Sequence, residues 1–199
     1  MKDLGNVLIT GGASGLGAAT VDAVRAAGGR PLVIDRVAPA DGVDHEIADL
    51  ADSTAARAAV DALATRAGGL DAVFTPAGTD ACGKLTDVST EDWERVVMVN
   101  LFGTVAVVRA ALPYLERSRG TVVTCASTLG FKAVSDATAY CASKFGVVGF
   151  TRALAAETQG QVGVTMLVPG GMRTAFFDDR DEQYKPPPDA KLNDPRDVA

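Results

Sequence analysis

Short runs of aliphatic and β-branched residues recur along the chain, separated by longer stretches in which apolar positions return every three or four residues. Asn6-Val7-Leu8-Ile9-Thr10 and Pro31-Leu32-Val33-Ile34-Asp35 are the clearest runs. Near-continuous apolar character of this kind marks strands buried on both faces. The pattern predicts strands near 5–10, 31–35, 44–48, 71–75, 120–126 and 162–168, and helices over about 15–28, 52–67, 91–117 and 135–159. Regular alternation of the two predicts an α/β protein with a parallel sheet covered by helices on both faces. The 52–67 stretch is alanine-rich and reads as a packing helix. In the 91–117 stretch Trp93, Val96, Val97, Leu101, Val105 and Val108 fall at near-helical spacing, which suits core or subunit contact. Asn100 breaks that stripe, and a buried amide must find hydrogen-bond partners.

Residues 172–193 fit no periodic element. They carry Phe176, Phe177, Tyr184 and the run Pro186 to Pro188, and read as a loop or substrate lid. Asp194 then suits a helix N-cap and Pro195 the first helical position, so a helix is expected to begin where the sequence stops.

Composition narrows the possibilities. A chain of 199 residues, 47% hydrophobic, is expected to form one well-cored domain over 1–199. A net charge of −6 without a basic run makes nucleic acid and anionic membrane poor partners. No apolar stretch is expected to reach the ~18 residues of a membrane span. The opening Met1-Lys2-Asp3-Leu4-Gly5 leads directly into the first strand, so no leader is expected. Cys82, Cys125 and Cys141 lack metal-ligand spacing and His45 is the only histidine, which argues against a metal site or a histidine triad. Three thiols without a disulfide framework fit a reducing cytoplasm. Cys141 reads as a small packing residue rather than a nucleophile.

The chemistry begins at a glycine-rich turn. Gly11-Gly12-Ala13-Ser14-Gly15-Leu16-Gly17 follows the first strand at once and opens an alanine-rich helix. A strand, a glycine turn and a helix N-terminus together form an anion site, because unsatisfied N–H groups and the helix dipole favour negative charge there. Gly11, Gly15 and Gly17 allow a tight turn and close approach of a pyrophosphate. The spacing is GxxxGxG rather than GxGxxG. Asp35 ends the second strand, where a carboxylate bonds ribose hydroxyls and repels a 2′-phosphate, so NAD(H) is favoured over NADP(H). Ser14 adds no positive charge, whereas Arg36 is the dissenting residue, since an arginine can pair with that phosphate.

Tyr140 and Lys144 are four residues apart on a predicted helix and so share a face, with Ser127 thirteen residues earlier. A phenol titrates near ~10, and acid–base work near neutrality needs that value lowered. An ammonium at ~4 Å, through an effective dielectric of ~20, supplies about the energy required. Ser127 can donate a hydrogen bond to a substrate oxygen. Each residue also has a plainer role open to it: Tyr140 as a buried aromatic, Lys144 as a snorkelling surface lysine, Ser127 as a turn cap.

Together these residues resemble the short-chain dehydrogenase/reductase family. The resemblance runs from Asn6 to about Thr174. It rests on Thr10 to Gly17, Asp49-Leu50, Asn100, Ser127, Tyr140-Cys141-Ala142-Ser143-Lys144 and Pro169-Gly170-Gly171-Met172-Arg173-Thr174, in the family's order. It implies a Rossmann-type, doubly wound parallel sheet and an NAD(P)-dependent oxidoreductase that interconverts a secondary alcohol and a ketone. By the same resemblance Asp49, beside Leu50, holds the adenine edge, and Thr174, after Pro169 and Gly170, touches the nicotinamide carboxamide. Lys144 binds the ribose hydroxyls, and Asn100 holds a water that relays protons from Lys144. The family's Asn-x-Ala-Gly is Thr75-Pro76-Ala77-Gly78 here. Ala77 and Gly78 keep the close approach to the cofactor, Thr75 replaces an amide that braces neighbouring strands, and Pro76 removes a donor. The family also continues past this chain's last residue through a helix to a final strand.

The long apolar helices predict a homodimer or homotetramer. Phe131, Met172, Phe176, Phe177 and Tyr184 predict a mostly apolar substrate pocket. Two other readings stay open: a non-catalytic NAD-binding sensor or structural subunit, and an epimerase passing through a transient ketone.

Overall fold

The computed structural model describes residues 4–40 and 42–199. The first three residues, on which part of the leader reading rests, lie outside them. Six strands form one parallel sheet in the order β3-β2-β1-β4-β5-β6: β1 (Asn6–Thr10), β2 (Arg30–Asp35), β3 (Asp44–Ile47), β4 (Ala72–Thr75), β5 (Thr121–Cys125) and β6 (Gly163–Leu167). The chain starts in the middle of the sheet and winds outward in both directions, which is the Rossmann-type topology expected. The order reverses between β1 and β4. At such a switch point the connections leave in opposite directions and open a crevice at the carboxyl ends of the strands.

Alternate residues of each strand feed two cores. Leu8, Leu32, Ile34, Val73 and Val122 face one side and pack with α2 (Ser53–Ala67) and α4 (Thr104–Ser118). Val7, Ile9 and Val33 face the other side and meet Val21 and Val24 of α1 (Gly15–Ala26). Local chemistry sets the ends of these helices. Asp52 caps α2 by accepting from the Thr54 and Ala55 amides at 2.8 and 3.0 Å, and Gly68 closes it in the left-handed conformation. The expected last helix start is present: Asp194 accepts from the Arg196 amide at 2.9 Å and Pro195 opens α6 (Pro195–Val198).

The predicted helix over 91–117 is helical throughout, but not uniform. α3 (Thr90–Val97) passes through a π-helical turn, Met98–Gly103, before α4 begins. A wider turn of this kind displaces the backbone and is common at functional sites. Gly103 lets its end of the turn pack against Leu50, because a Cβ there would lie 2.8 Å from the Leu50 carbonyl oxygen. One sequence expectation is corrected here. The helical run Thr90–Ser118 contains an 18-residue window of mean hydropathy 1.8, long and apolar enough to cross a membrane by length and composition alone. In the fold Val107, Val108, Ala111 and Leu115 spend that character on the core. The helix over 138–157, α5, begins three residues later than expected, at Thr138.

Thr75 is buried, and its Oγ1 has no hydrogen-bond partner among the described residues. The bracing function falls instead to Thr10, whose Oγ1 accepts from the Ala77 amide at 3.2 Å. An unsatisfied buried hydroxyl costs about 1–3 kcal/mol, so Thr75→Val is expected to raise the stability of the chain by roughly 1–2 kcal/mol. Denaturant unfolding of the two proteins measures this, and an unchanged or lower midpoint would show that Thr75 is satisfied in solution.

Candidate active site

The glycine turn is shaped by one contact. A Cβ on Gly17 would stand 2.0 Å from the Gly11 carbonyl oxygen, so α1 can leave β1 this sharply only with glycine there. Gly11 and Gly15 have φ of +67° and +52°, in the left-handed region. Ser14 is the N-cap of α1 but makes no side-chain cap bond, which leaves the first-turn amides open toward the cleft. Asp35 ties the turn to β2: one carboxylate oxygen accepts from the Ala13 amide at 2.9 Å and the other from Arg36 at 2.6 Å.

A cleft of about 890 Å³ runs along the carboxyl ends of the strands. Gly11, Ser14, Gly15, Leu16, Gly17, Asp35, Arg36, Asp49, Leu50, Ala77, Gly78, Ser127, Tyr140, Lys144, Pro169, Gly170 and Thr174 all line it. Thr174 lies over the glycine turn, its Cγ2 3.4 Å from where a Gly15 Cβ would be. A glycine cradle that no side chain can fill, open helix amides and a carboxylate at the end of β2 fit a dinucleotide.

Asn100 does not line the cleft. It is fully buried behind it, and both ends of its amide are engaged: Oδ1 accepts from the Thr79 amide at 2.8 Å, while Nδ2 donates to the Thr79 carbonyl at 2.9 Å and to Ser143 Oγ at 3.1 Å. Ser143 donates in turn to the Tyr140 carbonyl at 2.8 Å. Asn100 therefore clamps the loop after β4 to the helix that carries Tyr140 and Lys144.

Ser127 combines two of its readings. Its Oγ caps a short turn by accepting from the Leu129 amide at 3.1 Å, which leaves the hydroxyl hydrogen free to donate. That turn packs on α5 at Gly130, where a Cβ would meet the Lys144 carbonyl oxygen at 2.8 Å. Lys144 is buried, and its Nζ donates to the Cys125 carbonyl at 2.9 Å. It is not the snorkelling surface lysine its charge suggests. Desolvation pulls its pKa below the ordinary lysine value.

The expected lowering of the Tyr140 pKa is not present. Lys144 Nζ is 5.6 Å from the centre of the tyrosine ring. Burial pushes the phenol pKa well above its usual value, against a lowering contribution from a hydrogen bond with Ser127. Desolvation of the buried phenol outweighs the effect that Lys144 was expected to have on it.

Several cleft residues were not singled out from the sequence. Arg95 Nη2 meets Asp49 Oδ2 at 2.8 Å. Burial raises the Asp49 carboxyl's pKa, but the Ala51 amide and Arg95 outweigh it and hold the group below the ordinary carboxylate value. Elsewhere in the cleft, near Phe176 and Phe177, Asp80 and Arg180 pair at 2.7 Å, and Cys82 Sγ donates to Asp80 at 3.3 Å. Burial, followed by the Asp80 charge, pushes the Cys82 thiol up to about 11, so it is a neutral donor. The expectation of a mostly apolar pocket is corrected accordingly. Met172, Phe176, Phe177 and Tyr184 do line the cleft, but around an ion pair. Phe131 lies outside, with its ring under Arg152. Asp80 and Arg180 are a hundred residues apart, and no local pattern joins them.

This combination of switch-point cleft, glycine turn and paired tyrosine and lysine is that of a dinucleotide-binding α/β protein. Residues 5–185 match the family model described as short chain dehydrogenase, and the chain belongs to that family. It is 35% identical over 167 residues to D-threitol dehydrogenase of Mycolicibacterium smegmatis, covering 77% of this chain and 64% of that enzyme's length. It is 32% identical over 198 residues to levodione reductase of Leifsonia aquatica, covering 90% of this chain and 74% of that one. Among solved structures, one described as a putative NAD(P) dependent gluconate 5-dehydrogenase from Beutenbergia cavernae, with NADP bound at low occupancy, superposes with a TM-score of 0.85 at 31% identity, over 96% of this chain and 85% of that one.

A lysine whose pKa falls on folding costs stability while its ammonium is charged, and the cost fades as pH rises from the folded-state value toward the ordinary ~10.5. Cofactor-free Lys144→Met is therefore expected to melt higher than the parent near neutral pH, with the gap narrowing toward pH ~10. Thermal unfolding across that range measures the gap. A parent that melts higher at neutral pH would show the ammonium to be compensated.

Proposed function

We propose that the chain is an NAD(P)-dependent oxidoreductase that interconverts a secondary alcohol and a ketone, with Tyr140 as general acid/base and NAD(H) as the preferred cofactor. The observation that carries this reading is that Ser127, Tyr140 and Lys144 face the same cleft as the glycine turn. A bound nicotinamide supplies or accepts the hydride. In reduction Tyr140 gives its proton to the carbonyl oxygen; in oxidation it takes the proton of the hydroxyl. Its neutral phenol in the cofactor-free chain suits the first role directly. Ser127 donates a hydrogen bond to the same oxygen and stabilises charge developing there. Lys144 has N–H groups beyond the one bound to Cys125, and these hold ribose hydroxyls and favour the phenolate. Asn100 positions the Tyr140–Lys144 helix and, as part of the proton path, holds a water.

The remaining site assignments follow the cleft. Gly11, Ser14, Gly15, Leu16 and Gly17 receive the pyrophosphate, Asp35 and Arg36 border the adenosine ribose, and Asp49 and Leu50 the adenine. Ala77, Gly78, Pro169, Gly170 and Thr174 border the nicotinamide half. Residues 172–193 act as the lid. Phe102 and Phe145, half-exposed on the helices over 90–118 and 138–157, support a homodimer or homotetramer built on those helices. The free thiols of Cys82, Cys125 and Cys141 suit the cytoplasm.

NADP(H) is the second reading, favoured by Arg36 and Arg95 at the adenosine end and by the NADP in the gluconate 5-dehydrogenase structure. Titration by nicotinamide fluorescence decides between them. NADH is expected to bind at least ~10-fold more tightly than NADPH, and Asp35→Ala to erase that preference; tighter NADPH binding in the parent assigns the site to Arg36. For the chemistry, Tyr140→Phe is expected to bind NADH as the parent does and to lose roughly 10²–10⁴-fold in kcat. Equal turnover in that variant removes Tyr140 from the mechanism.

A further inference from the structure

The acid–base trio leaves one charged feature of the cleft unused. Asp80 lies in the loop after β4 and Arg180 in the 172–193 segment, and their side chains are 6% and 19% exposed. Arg180 Nη2 donates to Asp80 Oδ2 at 2.7 Å and Nη1 to the Tyr184 carbonyl at 3.4 Å, while Nε has no partner among the described residues. Asp80 also accepts from Cys82 Sγ on Oδ2 and, at 2.8 Å, from the Ala81 amide on Oδ1. The guanidinium packs over the rings of Phe176 and Phe177, at 5.1 and 4.6 Å. Phe176 also packs against the Tyr140 ring, with centroids 5.8 Å apart. The pair therefore stands one aromatic ring away from the proposed acid.

A buried ion pair is a poor device for stability alone, since apolar residues of similar volume do as well or better. This pair is also under-satisfied. A guanidinium has five N–H donors and a carboxylate about four acceptor positions, so each partner retains capacity beyond its bonds here. Spare donors and spare acceptors side by side match a group that both gives and takes a hydrogen bond. A hydroxyl does both. A carboxylate on the substrate is repelled by Asp80, and an ammonium by Arg180, so the net-neutral pair selects a neutral polar group.

We propose that Asp80 and Arg180 form a subsite for a second hydroxyl, and that the substrates are diols or short polyols and the hydroxy ketones derived from them. The second hydroxyl donates to Asp80 and accepts from Arg180 while the reacting oxygen lies between Ser127 and Tyr140. This rests on the dehydrogenase reading given above.

The test compares alcohols on one four-carbon skeleton: 2-butanol, 2,3-butanediol and threitol, each oxidised with NAD⁺ and with NADP⁺. At least one hydroxylated substrate is expected to exceed 2-butanol in kcat/KM by about 10-fold or more, the scale of a hydrogen bond to a charged group. In Asp80→Asn that ratio is expected to fall to near one. Because removing one charge strands the other, the double variant Asp80→Asn/Arg180→Gln, neutral on both sides, is measured beside it. A merely structural pair lowers all three substrates together and leaves the ratio standing. Equal kcat/KM for all three in the parent, or a ratio that survives in both variants, overturns the subsite while leaving the dehydrogenase reading intact. Absence of nicotinamide binding and of turnover with any alcohol overturns both.

Discussion

The close approach of backbone to backbone at the glycine turn is the constraint on which the rest of the site depends. With a side chain at Gly17, α1 could not start where it does, because the Gly11 carbonyl occupies that space. The consequences run outward. The N-terminus of α1 is brought to the carboxyl ends of the strands with its amides uncapped, and the Gly11 amide is free to bond the Ile34 carbonyl at the end of β2. Asp35, fixed by the Ala13 amide, then stands beside the turn rather than over solvent. A single steric allowance thus produces an anion cradle with a carboxylate at its rim.

The chemical half of the cleft is organised by a different economy, the burial of polar groups. Asn100 sits in a π-helical turn with both amide N–H groups and its Oδ1 bonded, joining the loop after β4 to Ser143 and through it to the backbone of Tyr140. Such a network is rigid, because displacement leaves a buried group unpaired. Lys144 is the opposite case: a buried ammonium whose bond among the described residues is to the Cys125 carbonyl. The rigid group positions, and the under-satisfied one is poised to interact. Tyr140 carries a raised pKa in the same surroundings, and the neutral phenol this leaves near pH ~7 suits the proposed role as an acid.

The substrate end combines both themes. Phe176 and Phe177 exclude water around Arg180, while Asp80 balances its charge without using all of its hydrogen-bonding capacity. Apolar walls with a few convergent polar groups are the usual composition of small-molecule sites, the walls giving affinity and the polar groups orientation. Here those polar groups come from two segments that touch only in the folded chain.

The strand runs, the glycine turn, Asp35 and the Tyr140–Lys144 spacing were legible in the sequence because each is local. A buried strand needs a continuous apolar run, a tight turn needs glycine, and a helix places residues four apart on one face. Tertiary structure decided what depends on distance in space. It ordered the strands, buried Lys144, and directed Val107, Val108, Ala111 and Leu115 of the Thr90–Ser118 run into the core. It also left Thr75 without a partner while Thr10 took over the brace. Most of all it joined Asp80 to Arg180, a pairing that no periodicity encodes, since charge complementarity acts through the cleft and not along the chain.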